Sequence, residues 1–314
     1  MPDSIPSTVV NLRGAFENAT MLNDPNLIEW DTSNVISMRS TFYNAKSFNQ
    51  PIGNWDTSSL IVAHMTFAYT DSFNQNLNGW DTSNMQFASG MFGTAKAFNN
   101  GCSTDNHTCP LKWRTDSLTT MSTMFKGATS FNQEIGSTVN SVGSKKYWNT
   151  EKLSSVSGMF REATSFNNGC AVGETSCPFK LKTDSLTSSN EIFREATSFN
   201  QNMSESVDEN TGDTYWDFSN ATAITSMFYK ATSFNNGSVA GATDAIGSPN
   251  VVNWDFTATT NVSSLFREAA SFNQDTNNIK FNKITSKSST HVSSGLRCSN
   301  VHPLILNSSH CLKD

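Results

Sequence analysis

Charge is scarce in this chain. Asp, Glu, Lys and Arg make up 15% of its 314 residues and leave a net charge of −6. No block of Lys and Arg occurs, so neither nucleic acid nor an anionic membrane surface is expected as a partner, since both attract basic surfaces. No apolar run approaches the roughly 20 residues that a membrane-spanning helix needs, so insertion by this chain is not expected. The opening Met1-Pro2-Asp3-Ser4-Ile5-Pro6 lacks the basic stretch and apolar core of a signal peptide, so none is expected here. Histidine is rare: five residues, His64, His107, His291, His302 and His310. None stands in a motif with a nucleophile and an acid. Gly-rich phosphate loops and dinucleotide fingerprints are missing as well. Neither an enzyme nor a cofactor is expected. A carbohydrate-active enzyme would need a carboxylate pair at catalytic separation.

Hydrophobic residues are also few, at 36%. The chain is nevertheless not expected to be disordered, because 22 Phe, 11 Met and 7 Trp supply large side chains to bury. Six cysteines fall into local pairs: Cys102 with Cys109, Cys170 with Cys177, and Cys298 with Cys311. Even numbers with local pairing point to disulfides and an oxidising compartment. Asn-X-Ser/Thr sequons at Asn18, Asn106, Asn202, Asn220, Asn236, Asn261 and Asn307 are glycosylation candidates. An extracellular or cell-surface location is expected.

Internal repetition dominates the sequence. Pro51–Gln75 and Asn76–Asn100 share an apolar-x-x-Trp-Asp-Thr-Ser segment, then apolar residues leading to Met/Thr-Phe, and a closing Phe-Asn-Gln/Asn. Two Phe six residues apart mark each unit: Phe42/Phe48, Phe67/Phe73, Phe92/Phe98, Phe125/Phe131, Phe160/Phe166, Phe193/Phe199, Phe228/Phe234 and Phe266/Phe272. Phe16 with Leu22 is a weaker copy. Asn follows each second member, at Asn23, Asn49, Asn74, Asn99, Asn132, Asn167, Asn200, Asn235 and Asn273. This Asn is expected to satisfy backbone groups of its own and the adjacent turn.

The first-Phe spacing is 25 residues twice, then 33, 35, 33, 35 and 38. The increments are insertions between Phe-Asn and the next Trp, near residues 101–112, 134–147, 169–180, 202–215 and 237–253. They alternate in kind. One carries Asn-Asn-Gly-Cys…Cys-Pro; the other ends in Tyr147-Trp148 or Tyr215-Trp216. All leave the unit at one point, so they should cluster on one edge.

Within a unit, Ile52-x-x-Trp55 reads as a short strand ending in the Asp56-Thr57-Ser58 turn. Val35-x-x-Met38-x-x-x-Phe42-x-x-Ala45 reads as the apolar stripe of a short helix. Gly93 and Gly127 favour 3-10 or irregular turns there. One unit cannot bury its own aromatics, so stacking is required. The expected fold is an α/β solenoid of about nine turns, with one short strand and one short helix or 3-10 segment per turn. Residues 1–25 would form a cap and degenerate first repeat, 26–282 the solenoid, and 283–314 a C-terminal cap or tail with a disulfide.

The Trp-Asp-Thr-Ser…Met-Phe…Ala…Ser-Phe-Asn-Gln unit resembles the 25/26-residue repeat of bacterial surface proteins, the DUF285 or BspA-like leucine-rich repeat group, over about residues 12–282. The resemblance implies a leucine-rich-repeat-like right-handed coil and a surface role in adhesion or in binding a protein or glycan. The cysteine-bearing insertions depart from the plain repeat.

Several residue sets invite a chemical reading. Trp30, Trp55, Trp80, Trp113, Trp148, Trp216 and Trp254 would be a glycan-stacking ladder if exposed; sharing the register of the Phe residues, they are assigned to the core. Asp31, Asp56, Asp81 and Asp217 would be Ca²⁺ ligands only as an unbroken ladder, which Asn149 and Arg114 interrupt. Turn formation is the expected role. Cys298, His302, His310 and Cys311 match no strong zinc spacing. Phe-Arg-Glu-Ala recurs at Phe160, Phe193 and Phe266, as a recognition stripe or a solvated face. Ala-Thr-Ser-Phe-Asn recurs at Ala128, Ala163, Ala196 and Ala231, but these Thr lie beside the helix or turn and not on the flat Thr-x-Thr strand face that ice binding needs. A non-enzymatic surface repeat protein is therefore expected, binding through its concave face and stacked insertions. Self-assembly into filaments or a surface layer is the alternative.

Overall fold

The structure is a computed structural model that describes residues 2, 4–104, 106–136, 148–175, 177, 179–207, 212–238, 252–291, 298–306 and 310. The chain visits one ladder at ten positions. Parallel bridges join Asn11 to Ser37, then Val62, Phe87, Thr120, Ser155, Ser188, Ala223, Asn261 and Ser286 in order. These ten positions compare with the about nine turns expected, and the ladder runs past residue 282. Ser286 pairs with Asn261, and Thr290 Oγ1 donates to the Val262 carbonyl.

Pairing between coils extends well beyond a single bridge. The N–H groups of Met38, Ser40, Phe42 and Asn44 donate to the carbonyls of Val62, His64, Thr66 and Ala68 at 2.8–2.9 Å. The intervening Thr41, Tyr43 and Ala45 donate three residues back, to Met38, Ser40 and Phe42. Consecutive peptides thus alternate between a bond along the stack and a bond within the coil. That alternation needs left-handed backbone at two positions four apart. Ser40/Asn44 (φ 53° and 57°), Met65/Tyr69 (53° and 61°), Gly158/Glu162 (63° and 62°) and Ser226/Lys230 (53° and 55°) all have it. Each non-glycine residue there costs on the order of 1 kcal/mol. Four lateral hydrogen bonds at about 1 kcal/mol net apiece outweigh two such costs.

The apolar spacing of Val35, Met38, Phe42 and Ala45 therefore belongs to successive turns, not to a helix. The Trp segment also differs from the expected strand. Pro25–Glu29 and Ile52–Asn54 are 3-10 helices ending at Trp30 and Trp55. Proline fixes φ at the start of both segments, and the Asp24 side chain accepts from the Asn26 N–H. In these two coils lateral pairing and 3-10 structure have exchanged the places that periodicity gave them, whereas strands do flank Trp216 and Trp254. Two-residue strands occur later. β1 (Ser206–Val207) and β2 (Thr214–Tyr215) pair antiparallel; β3 (Asp255–Phe256) and β4 (Lys280–Phe281) pair parallel.

The core follows the aromatic register. Phe67 stacks on Phe42, Phe92 on Phe67 and Phe125 on Phe92, each at 5.6 Å between ring centres and within 9° of parallel. The second Phe of each unit lies flat against the first, at 3.9 Å for Phe42/Phe48 and 4.2 Å for Phe67/Phe73. All these rings are fully buried. Offset stacking contributes about 0.5–1.5 kcal/mol per pair beyond the area buried.

Glycine permits the closest backbone approach in the stack. A Cβ on Gly53 would lie 2.4 Å from the Asn76 carbonyl oxygen, and one on Gly79 2.4 Å from that of Gly53. Backbone cannot yield as a side chain would. Gly53→Ala should destabilise the protein by about 1–3 kcal/mol through overpacking, measured as a lowered Tm. An unchanged Tm would show that the coils separate freely here.

Candidate binding surface

The repeated Asn builds the spine from which the insertions leave. Each backbone N–H donates to the Asn Oδ1 of the preceding coil: Asn49 to Asn23, Asn74 to Asn49, Asn99 to Asn74 and Asn132 to Asn99, at 2.8–2.9 Å. Asn167, Asn200, Asn235 and Asn273 continue it at 2.7–2.9 Å. Three of the Nδ2 groups hold insertion roots. Asn74 donates to the Cys102 carbonyl, Asn132 to Cys170 and Asn200 to Ser238. Asn-Asn-Gly now has a mechanism. Asn100, Asn168 and Asn236 take left-handed φ of 50–54°, and the Gly after each is left-handed too. The second Asn then accepts from Leu77, Ile135 or Met203 N–H at 2.8–3.0 Å.

Disulfides Cys102–Cys109 and Cys170–Cys177 close two of these insertions. The Cys298–Cys311 pairing lies outside the described residues, as does Asn307. Asn18, Asn106, Asn202 and Asn220 are exposed sequon positions and Asn261 is half-exposed. Asn236 is not available for a glycan: it is fully buried, and its amide bonds Met203 and Ser204.

The seven Trp are buried, at 7% exposure or less, so none offers a face to a glycan. Their indole N–H groups donate to a carbonyl of the preceding coil, as Trp55 does to Leu27 and Trp113 to Leu77. Trp148 and Trp216, which end the long insertions, re-enter their coils with left-handed φ of 51° and 56°. Asp31, Asp56, Asp81 and Asp217 each accept the N–H two residues on, forming the expected turns. Beside them Thr32, Thr57, Thr82, Thr115, Thr150 and Thr183 donate to the next coil's carbonyls. His302 Nδ1 accepts from Leu304 N–H and its ring meets Phe281 edge-on. Among the described residues no three His, Cys, Asp or Glu side chains gather as a metal site.

The Phe-Arg-Glu-Ala charges form a network crossing coils. Arg161 pairs with Glu162 and Glu191, and Arg194 with Glu191 and Glu195. Arg194 and Arg267 both lie over the Tyr229 ring, at 4.8 and 5.5 Å. Beside this network, Glu162, Glu195, Glu268, Lys230, Thr164, Thr197 and Thr232 line an open groove of about 300 Å³.

A second surface was not foreseen. Aligning coils on the bridge positions yields three solvent-facing columns. Thr119, Ser154, Thr187, Thr222 and Thr260 form the exposed one; Thr120, Ser155, Ser188, Ala223 and Asn261 the bridge column; and Ser122, Ser157, Asn190, Thr225 and Ser263 the third. The hydroxyls bond across coils, Ser122 with Ser155 and Ser157 with Ser188 at 2.8 Å. The same columns in earlier coils are mixed: Ile36, Ile61, Val62 and Phe87 stand beside Ser37, Arg39, Gln86 and Ser89, with the His64 ring 5.7 Å from Phe87. Burial holds His64 below the ordinary histidine pKa. Ordering the sequence by the Phe pairs would have aligned these columns.

Charges also meet along the Trp-Asp edge. Lys182 bridges Glu151 and Asp213 at 2.8 and 3.0 Å. Burial opposes its charge, but these hydrogen bonds outweigh it and raise its pKa. Glu205 is pushed above the usual carboxylate range by burial; Asp217 and Asp255 add to this, and Lys280 opposes it.

Stacked coils with two disulfide-closed insertions define a repeat protein. The sequence matches the family described as Mycoplasma protein of unknown function, DUF285, over residues 10–109, 106–177, 148–245 and 244–297, and the chain belongs to that family. No curated protein and no solved structure matches it. Among the described residues no helix is long and apolar enough to cross a membrane.

Asn167 is fully buried, and its Oδ1 accepts from both Asn200 N–H and Gln201 Nε2. Asn167→Ala would orphan two buried donors and should cost on the order of 3 kcal/mol, read as a shifted denaturant midpoint. Retained stability would mean that water replaces the amide. A carboxyl with a raised folded pKa binds its proton more tightly in the folded state. Its ionisation therefore destabilises the fold as pH rises from the ordinary carboxylate value through the raised one. Glu205→Gln should raise Tm at pH 7, and the gain should shrink as pH falls below that window. A gain that persists in acid would assign the effect to packing.

Proposed function

We propose that this chain is a right-handed, leucine-rich-repeat-like solenoid acting as a non-enzymatic adhesion or ligand-binding protein outside the cell or on its surface. Right-handed return of the chain is the rule for parallel connections. The observation that carries the reading is the Asn spine. It spends buried amides on fixing where insertions leave, and two of those insertions are then closed by disulfides. Cores need no such loops. Disulfides of this kind persist in oxidising compartments, which supports display outside the cytosol. The repeated coils supply a rigid backing, and the insertions supply the variable chemistry, the usual division of labour between scaffold and loops. Self-assembly is less favoured. Val301 and Ile305 of the C-terminal segment are buried in the same core and cover the stack's end, which a filament would need open.

Excising residues 103–108 and 171–176 together, with their cysteine pairs replaced by Ser, should leave a cooperatively folding protein. Binding to protein extracted from the native cell surface should be lost in a pull-down. Full binding by the excised chain would remove the insertions from this role.

A further inference from the structure

We propose that the hydroxyl face between Thr119 and Ser263 is a docking track for an extended neutral polysaccharide. This deepens the binding role proposed above and rests on it. Fifteen positions in five successive coils make up the three columns. Fourteen carry a hydroxyl or amide, Ala223 is the exception, and none is charged. The ion pairs of these coils lie outside the columns, in the Arg161–Glu191–Arg194 network and in the Lys182–Glu151–Asp213 group. A surface without charge does not select an acidic or basic polymer; it suits a ligand whose polar groups are themselves hydroxyls.

The face is also preorganised. The links Ser122–Ser155 and Ser157–Ser188, and Asn190 Oδ1 accepting from Thr225, fix the side chains before any ligand arrives. A hydroxyl that donates to its neighbour keeps acceptor capacity for a sugar O–H. Toward the first coils the columns mix apolar residues such as Ile61, Val62 and Phe87, where the C–H face of a sugar ring can lie, with Ser37, Gln86 and Arg39, so the uncharged track is confined to the coils from Thr119 onward. An amphipathic linear sugar chain matches both chemistries along one line. A peptide strand adding by main-chain pairing does not fit, because the N–H and C=O groups of the coils are consumed between coils. Successive coils, set about one strand spacing of ~4.8 Å apart, offer repeating contacts to a repeating polymer, so weak single contacts add along the track.

The test is co-sedimentation of the full chain with cellulose, chitin and insoluble β-1,3-glucan, with alginate and heparin gels as acidic controls. At least one neutral polymer should be retained in preference to the acidic ones. Two variants, Ser122→Arg with Ser157→Arg and the milder Thr119→Lys with Thr187→Lys on the exposed column, should each weaken that binding at least tenfold. Near-UV circular dichroism checks that the aromatic stack persists. The insertion-excised chain should bind neutral polymer as the parent does. No retention on any neutral polymer, undiminished binding by the folded Thr119→Lys/Thr187→Lys variant, or loss on excision alone would overturn the proposal. So would shaping of ice crystals by the pure protein without polymer binding, which would assign the face to ordered water. Insertion-dependent capture of native surface material without neutral-polymer binding would sink this inference and leave the adhesion role standing.

Discussion

Peptide orientation is the constraint on which everything else depends. A coil of turns would ordinarily spend its N–H groups on itself. Here alternate N–H groups are turned along the stack, and the left-handed residues are what turn them. Because Met38, Ser40, Phe42 and Asn44 all donate to the next coil, the spacing between coils is set by hydrogen bonds before any side chain is considered. The aromatic rings then fill a gap of fixed height. That explains why Phe rings stack at nearly one distance through eight successive steps, from 5.4 to 5.8 Å. Packing follows the backbone here.

The same constraint sorts the side chains. A column facing inward must hold a residue of constant shape, which Phe and Trp satisfy. A column at a chain bend must satisfy the N–H and C=O groups that bending exposes, and buried amides do this through the Asn spine and its Gln partners, such as Gln201 on Asn167. A column facing water has neither duty and is free to vary. The outward columns do vary, from Ile36 and Phe87 to Ser and Thr, while Phe and Asn hold their register. Freedom of that kind is where a binding function can be written without cost to the fold.

The aromatic register was legible in the sequence because a period survives any insertion between units. Stacking of Phe67, Phe92 and Phe125, burial of the Trp residues and turn formation by Asp31, Asp56 and Asp81 all followed from it. The strand and helix assignments did not. Apolar residues three and four apart arise from i to i−3 turns as readily as from a helix. The left-handed positions that separate the two have no compositional mark where Met65, Tyr69, Glu162 or Lys230 occupies them. Asn236 read as a sequon for a comparable reason: three residues specify the motif, whereas burial of its amide is decided by a coil some 33 residues away. The hydroxyl columns were hidden by abundance. In a chain rich in Ser and Thr, an aligned row is invisible until the coils are superposed.

Insertions and hydroxyl columns make different demands on a ligand, which bears on how one molecule would use both. The insertions leave at the Asn spine, two of them are disulfide-closed, and they alternate in kind, so each presents a local surface of its own. The hydroxyl columns lie on the bridge side of the coil and repeat, so they present one surface many times. A ligand of fixed shape fits the first, and a polymer of repeating chemistry fits the second. On the binding role proposed above, such a division would let the protein hold a polymer along its length and read a particular partner at its edge. The two contacts then reinforce each other through effective concentration when one surface carries both. The stack provides the stiffness this needs, since the gain vanishes when a linker cannot hold two sites in simultaneous reach.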